Sequence, residues 1–166
     1  MNRDYTIRPF SEVDADTVLK LLIDLHETDF RKKANAQLQE LSADKNLRES
    51  FRKYLESIIK DGTGNWKIFL ATSAGETIGF IIGSFEEDGE MVLGRIGKIE
   101  DWFVQEEFRG KSIGIDLLNK LEAWFLEKGC SQIHSDTWQG NEEGTNAHLR
   151  SGFFISGIKF RKKIGS

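Results

Sequence analysis

Val104-Gln105-Glu106-Glu107-Phe108-Arg109-Gly110-Lys111-Ser112-Ile113-Gly114-Ile115-Asp116-Leu117-Leu118 carries a β-rich run across a glycine-bearing loop into a helix. Upstream, Met91 to Val104 is long enough for a hairpin strand. Downstream, Ile113, Leu117, Leu118, Leu121 and Phe125 recur at helical spacing, and Lys128-Gly129 supplies a C-cap. The loop sets two glycines and a cluster of unpaired amides at a helix N-terminus. Such a terminus attracts anions, because its free N–H groups and the helix dipole point at the ligand. Arg109 and Lys111 add positive charge. Two familiar phosphate loops do not fit. Gly110-Lys111-Ser112 looks like the end of G-x-x-x-x-G-K-S, but Gln105 stands where the first glycine belongs. G-x-G-x-x-G needs three glycines, and this loop has two, four apart.

Working outward, Tyr5 to Arg8 alternates as a strand and stops at Pro9, the only proline. Ser11 stands at an N-cap position before a helix carrying Val18, Leu21, Leu22 and Leu25 on one face. Phe30 to Asn46 is polar and poorly periodic, a loop or short helical piece. A second helix carries Leu47, Phe51, Tyr54, Leu55 and Ile58. Trp66 to Ala71 and Thr77 to Phe85 form a hairpin around Ser73-Ala74-Gly75-Glu76. After the α-helix at Ile113 come a strand at Ser131 to Asp136, a helix at Asn141 to Ser151 and a terminal strand or hairpin at Phe153 to Ile164. The expected order is β-α-α-β-β-β-α-β-α-β within one domain, residues 1–166.

Composition narrows the function classes. A net charge of −4 over 166 residues disfavours nucleic acid and anionic membrane as partners, and leaves a cationic ligand open. One cysteine, Cys130, excludes an internal disulfide framework, and no Cys/His cluster points to a metal. The charged, alternating start from Met1 to Phe10 does not read as a leader, and no apolar run reaches membrane-spanning length. The cytoplasm is the expected compartment. A homodimer is left open.

Phe108-Arg109-Gly110-Lys111-Ser112-Ile113-Gly114 resembles the acyl-CoA pyrophosphate loop of the GNAT family of N-acetyltransferases, written Gln/Arg-x-x-Gly-x-Gly/Ala. Arg109, Ile113 and Gly114 match, and Ser112 replaces the first glycine. Asn141 through Gly152-Phe153 is similar to the family's N-x-x-A-x-x-x-Y-x-x-x-G-F helix, with Gly144 for the alanine and His148 for the tyrosine. Ser135-Asp136-Thr137, Asn141, His148, Gly152-Phe153 and Phe160-Arg161-Lys162, with Glu100 upstream, resemble the aminoglycoside 6'-N-acetyltransferases. The N-terminal half carries no comparable match. The resemblance implies an α/β (α+β) fold: a mixed, mostly antiparallel twisted sheet with helices on both faces. It implies acetyl-CoA as cosubstrate and direct transfer to a primary amine of a small cationic substrate in a ternary complex. Polyamines, other small amines, protein N-termini and a non-catalytic acyl-CoA-binding module are the alternatives.

Acetyl transfer needs a base for the amine, a donor for the thioester oxygen and a proton for the departing thiolate. Glu100 and Asp136 are the candidate bases, each near a strand end. By resemblance, a main-chain N–H among Phe103, Val104 and Gln105 polarises the thioester, and the stretch Arg109, Gly110, Lys111, Ser112, Ile113, Gly114 holds the pyrophosphate with Asn141 nearby. His148 is the candidate proton donor; a half-buried helix residue bonded to a carbonyl is its alternative. Trp102 and Trp138 are candidate apolar walls of the substrate site, Asp136 a substrate contact as well as a base. Glu86, in the acidic turn Glu86-Glu87-Asp88-Gly89-Glu90, is a candidate for attracting a polycation; a solvated hairpin tip reads the same turn without function.

Overall fold

The computed structural model describes residues 4–164. Met1 to Arg3, where the expected leaderless start begins, lie outside the described residues, as do the last two positions of the expected domain. Five strands form one sheet in sequence order: β1 (Thr6–Pro9), β2 (Trp66–Ser73), β3 (Glu76–Glu87), β4 (Arg95–Val104) and β5 (Gln132–Ser135). The first four pair antiparallel, and β5 runs parallel to β4.

Helices cover both faces. On one lie α1 (Ala15–Asp24) and α4 (Leu47–Lys60), burying Val18, Leu21, Leu22, Leu55 and Ile58 against Leu70, Phe80 and Ile82. On the other lies α5 (Ile113–Glu127), whose Leu117, Leu118, Leu121 and Phe125 pack on Ile78, Ile81 and Ile99. That second face approaches the sheet closely because Gly83 and Gly97 have no side chain. A Cβ on either would stand within 2.9 Å of Leu121 or Phe125.

The helical layer opens on a capping arrangement. Asp14 accepts from the Ser11 amide at 2.9 Å and from both terminal nitrogens of Arg8 at 2.7 Å. The Arg8 guanidinium holds its carboxyl down at about 2. Beyond α1 the helix does not stop. It widens into a π-helical stretch, Leu25–Phe30, and continues as α2 (Arg31–Lys33); α3 (Ala36–Leu41) follows, capped by Asn35.

Two expected strands are corrected. Met91 to Gly94 is outside β4: Asp88 donates to the Gly94 carbonyl at 2.7 Å and accepts from Met91, closing a turn. Residues 153–164 form no strand. Their basic side chains run instead to the α3 end of the molecule, Arg161 to Ser42 at 3.1 Å and Lys163 to Glu40 at 2.6 Å. Phe154 and Phe160 are left 82% and 89% exposed. The described order is therefore β-α-α-α-α-β-β-β-α-β-α, ending on α6 (Glu142–Arg150). No helix of the described residues is long and apolar enough to cross a membrane.

Candidate active site

β4 and β5 stay paired only from Ile96–Gln132 to Ile99–Ser135. At that point β4 carries a bulge: Ile82 faces Asp101 and Gly83 faces Ile99, so Glu100 is the extra residue. Beyond it the strands part. A cavity of about 530 Å³ opens in the gap, within the size range of a small-molecule site. Glu100 to Val104 line one side and Ser135 to Trp138 the other; the start of α5, one face of α6 and Leu25, Asp29 and Lys33 complete it.

One end of the cavity is backbone. Gly110 has φ +76° and Ser112 has φ +64°, and the latter is the N-cap of α5 with no side-chain cap bond. Two left-handed residues turn the loop's amides across the helix start, a shape that binds anions. Ser112 holds a conformation in which glycine pays no steric penalty, so its replacement of the family's glycine strains the loop. Gly114 lies against Trp102, whose Nε1 donates to the Gly114 carbonyl at 3.2 Å. Trp102 thereby braces the anion loop as well as walling the cavity.

The expected thioester donor narrows to one residue. Gln105 gives its amide to the Ile78 carbonyl at 3.0 Å. Phe103 pairs with Phe80 in the ladder. The Val104 carbonyl accepts from Arg109 Nε at 2.9 Å on the side away from β3. In an antiparallel strand a residue's N–H and C=O share a side, so the Val104 N–H faces the gap.

Arg109 departs from expectation. Its guanidinium bonds Asp29 at 2.7 Å and Glu143 at 3.0 Å, and Lys33 bonds the same two carboxylates at 3.1 and 2.7 Å. The cation expected to face phosphate instead ties the π-helical stretch to α6. Its guanidinium is locally neutralised, leaving Lys111 as the loop's own cation. Asn141 likewise acts as a brace. It caps α6 by accepting from Gly144 N at 3.1 Å and donates to Thr137 at 2.9 Å. Gly144 sits directly beneath that side-chain amide, where a Cβ would collide, which explains glycine in place of the family's alanine.

The other end of the cavity is made of side chains. Glu100 is exposed and bonded by the Ser84 hydroxyl. Asp101 is mostly buried and accepts from the Tyr54 hydroxyl of α4 at 2.9 Å. Burial, and then the Glu100 charge, push Asp101 up to about 6 against the pull of that hydrogen bond. Burial and the same carboxylates raise Tyr54 well above an ordinary phenol. Asp136 is exposed on the opposite lip, and Trp138 is half-buried against Phe30, ring edge to face.

His148 lines the cavity with both ring nitrogens engaged. Nδ1 meets the Gly144 carbonyl at 2.6 Å, which can only accept, so Nδ1 carries the hydrogen. Nε2 of the neutral ring then accepts from the Ser135 hydroxyl at 2.7 Å. The ring also stands edge-on to Trp102 and Phe153, each 5.3 Å away. This is the half-buried, carbonyl-bonded histidine. A proton leaving it toward the cavity would pass through Ser135.

Glu86 is not at the site. It lies near the far end of β3, bonded to Lys98 at 2.6 Å, and does not line the cavity. The acidic turn is a solvated tip because β3 runs away from the gap. Sequence reading missed Asp101, Tyr54, Ser135, Asp29 and Lys33. Only the doublet Glu100-Asp101 signalled any of them, since two adjacent acids in a strand leave one facing the interior.

Fold and cleft together are those of an acetyltransferase. The chain belongs to the acetyltransferase (GNAT) family, whose model matches residues 21–153. It is 34% identical over 80 residues to an aminoglycoside N(6')-acetyltransferase type 1 of Klebsiella aerogenes, and 33% identical over 89 residues to one of Stenotrophomonas maltophilia. The matches cover 48% and 52% of this chain and 53% and 58% of those enzymes, so the chain spans about half the length of the curated relatives it matches. Its backbone superposes on AAC(6')-Iy, solved with the bisubstrate analog CoA-S-monomethyl-acetylneamine, with a TM-score of 0.70. That superposition covers 97% of this chain and 99% of the other at 23% identity, a likeness of fold.

Proposed function

We propose that this chain transfers the acetyl group of acetyl-CoA to a primary amine of a small cationic acceptor, with an aminoglycoside as the leading acceptor class. One observation carries the reading: a single cavity has an amide-lined helix N-terminus at one end and carboxylates at the other, with the Val104 N–H between them. The amides from Gly110 to Gly114 suit the pyrophosphate. The Val104 N–H lies where a thioester oxygen gaining charge needs a donor. Glu100, Asp101 and Asp136 offer negative charge to an ammonium, and Trp138 an apolar wall. The named relatives are aminoglycoside 6'-N-acetyltransferases, which selects that acceptor first.

Release of free CoA thiol from acetyl-CoA, followed with a panel of amines, tests the proposal. A 6'-amino aminoglycoside should support release and its 6'-hydroxyl counterpart should not, the hydroxyl being the poorer nucleophile. Release with spermidine or a peptide alone would replace the acceptor class. No release with any amine would overturn the activity.

The reading includes two copies meeting through residues 153–164. Phe154, Ile158, Phe160 and Ile164 alternate along one side of this extended run and stay exposed, while the outer edge of β5 has no strand beside it among the described residues. Light scattering on the full chain and on a chain ending at Gly152 tests it: loss of a dimer on truncation is the expected result.

A further inference from the structure

We infer that Asp101, held by the Tyr54 hydroxyl at the bulge of β4, is the group that takes the proton from the acceptor ammonium. The inference rests on the acetyltransferase reading and assigns its base to a residue other than the two expected, Glu100 and Asp136.

The geometry begins with the bulge. In a regular strand Glu100 and Asp101 would point to opposite faces of the sheet. Here the extra residue at Glu100 breaks that alternation. Asp101 reaches Tyr54 on α4, and Glu100 reaches Ser84, which shares the face of Phe80 and Ile82 beneath α1 and α4. Two consecutive carboxylates therefore stand on the same side, at the point where β4 and β5 separate and the cavity begins. Glu100 and Asp136 are exposed, so water solvates their charge. Asp101 lies deeper, and its ionised form has one hydrogen-bond donor, Tyr54, and one close negative neighbour, Glu100. Among the described residues no lysine, arginine or histidine is paired with it.

This environment suits a base. A carboxylate with an ordinary affinity for protons accepts poorly from an ammonium near neutral pH, and raising that affinity improves it. Burial and Glu100 raise the affinity of Asp101 to about 6, while the Tyr54 hydroxyl keeps the anion accessible. In the step, one N–H bond of the ammonium breaks and its proton passes to an Asp101 oxygen. The freed nitrogen lone pair forms the bond to the thioester carbon, and the C–S bond breaks. The thiolate takes a second proton from the attacking nitrogen. Asp101 releases its proton to water once the products leave. The sum is ammonium and thioester to amide, thiol and one proton.

The test compares kcat/KM against pH for wild type, Asp101→Asn, Tyr54→Phe and Glu100→Gln, with CoA-induced thermal protection measured in parallel. Asp101→Asn should lower kcat/KM at neutral pH by about 100-fold or more and keep the CoA protection. Tyr54→Phe removes the bond that favours the anion, so the acid limb should move to higher pH. Glu100→Gln removes the charge that opposes it, so the limb should move to lower pH. A merely structural Asp101 moves neither limb. Turnover of Asp101→Asn within about threefold of wild type, or a limb fixed in both other variants, overturns the inference while leaving the acetyltransferase intact. Wild type that binds CoA but acetylates no amine overturns both.

Discussion

The two ends of the cavity are built from different materials. The anion end is backbone: amides from Gly110 to Gly114, set by two left-handed residues and the start of α5, all within one short run of sequence. The ammonium end is side chains: Tyr54 from α4, Glu100 and Asp101 from β4, Asp136 and Trp138 after β5. A backbone site needs glycines at fixed spacing, so it leaves a pattern in the chain. A side-chain site needs only convergence in space, and the residues that converge here are separated by as much as 84 positions, Tyr54 to Trp138.

The difference can be broken most severely at the backbone end. Gly114→Glu brings a carboxylate to the helix start beside Trp102, and should abolish CoA-induced thermal protection and turnover together. Near-wild-type protection in that variant would remove the loop from the CoA site. At the side-chain end the comparison sharpens through pH. Asp101 binds its proton more tightly in the folded protein than an ordinary aspartate at 3.8 does. The folded state therefore holds more protons between about pH 4 and 6, and stability should fall across that window as pH rises, by up to about 3 kcal/mol. Asp101→Asn should flatten the slope, as read from chemical denaturation at each pH. An unchanged slope would place the titration elsewhere.

His148 is next. His148→Ala removes the bonds to Ser135 and Gly144 and two ring contacts, and should cost about 1–3 kcal/mol of stability. If the imidazole serves the reaction through Ser135, His148→Ala and Ser135→Ala should each lower kcat by a similar factor, and the double variant no further. Additive losses would make the two independent. The smallest effect belongs to the backbone end again. Ser112→Gly should raise stability by about 1 kcal/mol by relieving the left-handed strain, measured as an increase in the unfolding midpoint. A fall would mean the serine hydroxyl does more for the loop than its backbone geometry costs.

This contrast explains what could be read from the sequence. The strands and the helices at Val18 to Leu22, Leu47 to Ile58 and Ile113 to Phe125 were legible because burial imposes period 2 or 3.6 on them. Residues 25–46 were not, because α2 and α3 bury almost nothing and are held by polar bonds such as Asn35 to Leu38. Phe153 to Ile164 has the alternation of a strand and no ladder within the described chain, so periodicity misled there. Within the site, Val104, Gly110 and Gly114 were found by motif. Asp101 was not, because the bulge that places it depends on how β3 and β4 register and leaves no local mark. Arg109 was found for the wrong work: spacing located it, and only the fold reveals Asp29 and Glu143 beside it.

The π-helical stretch between α1 and α2 behaves as a phase shifter. In an α-helix each residue advances about 100° around the axis, and a π turn takes up one residue more than an α turn. Asp29 sits inside the widened turn and Lys33 one turn beyond it, both aimed at the Arg109 and Glu143 pair. Deleting one residue between Leu25 and Thr28 would restore ordinary winding and swing everything after it by roughly 100° relative to the buried face of α1. Val18, Leu21 and Leu22 would stay seated, while Asp29 and Lys33 rotated off the loop. The extra residue is what lets a helix anchored in the core by one stripe present a different stripe to the cavity.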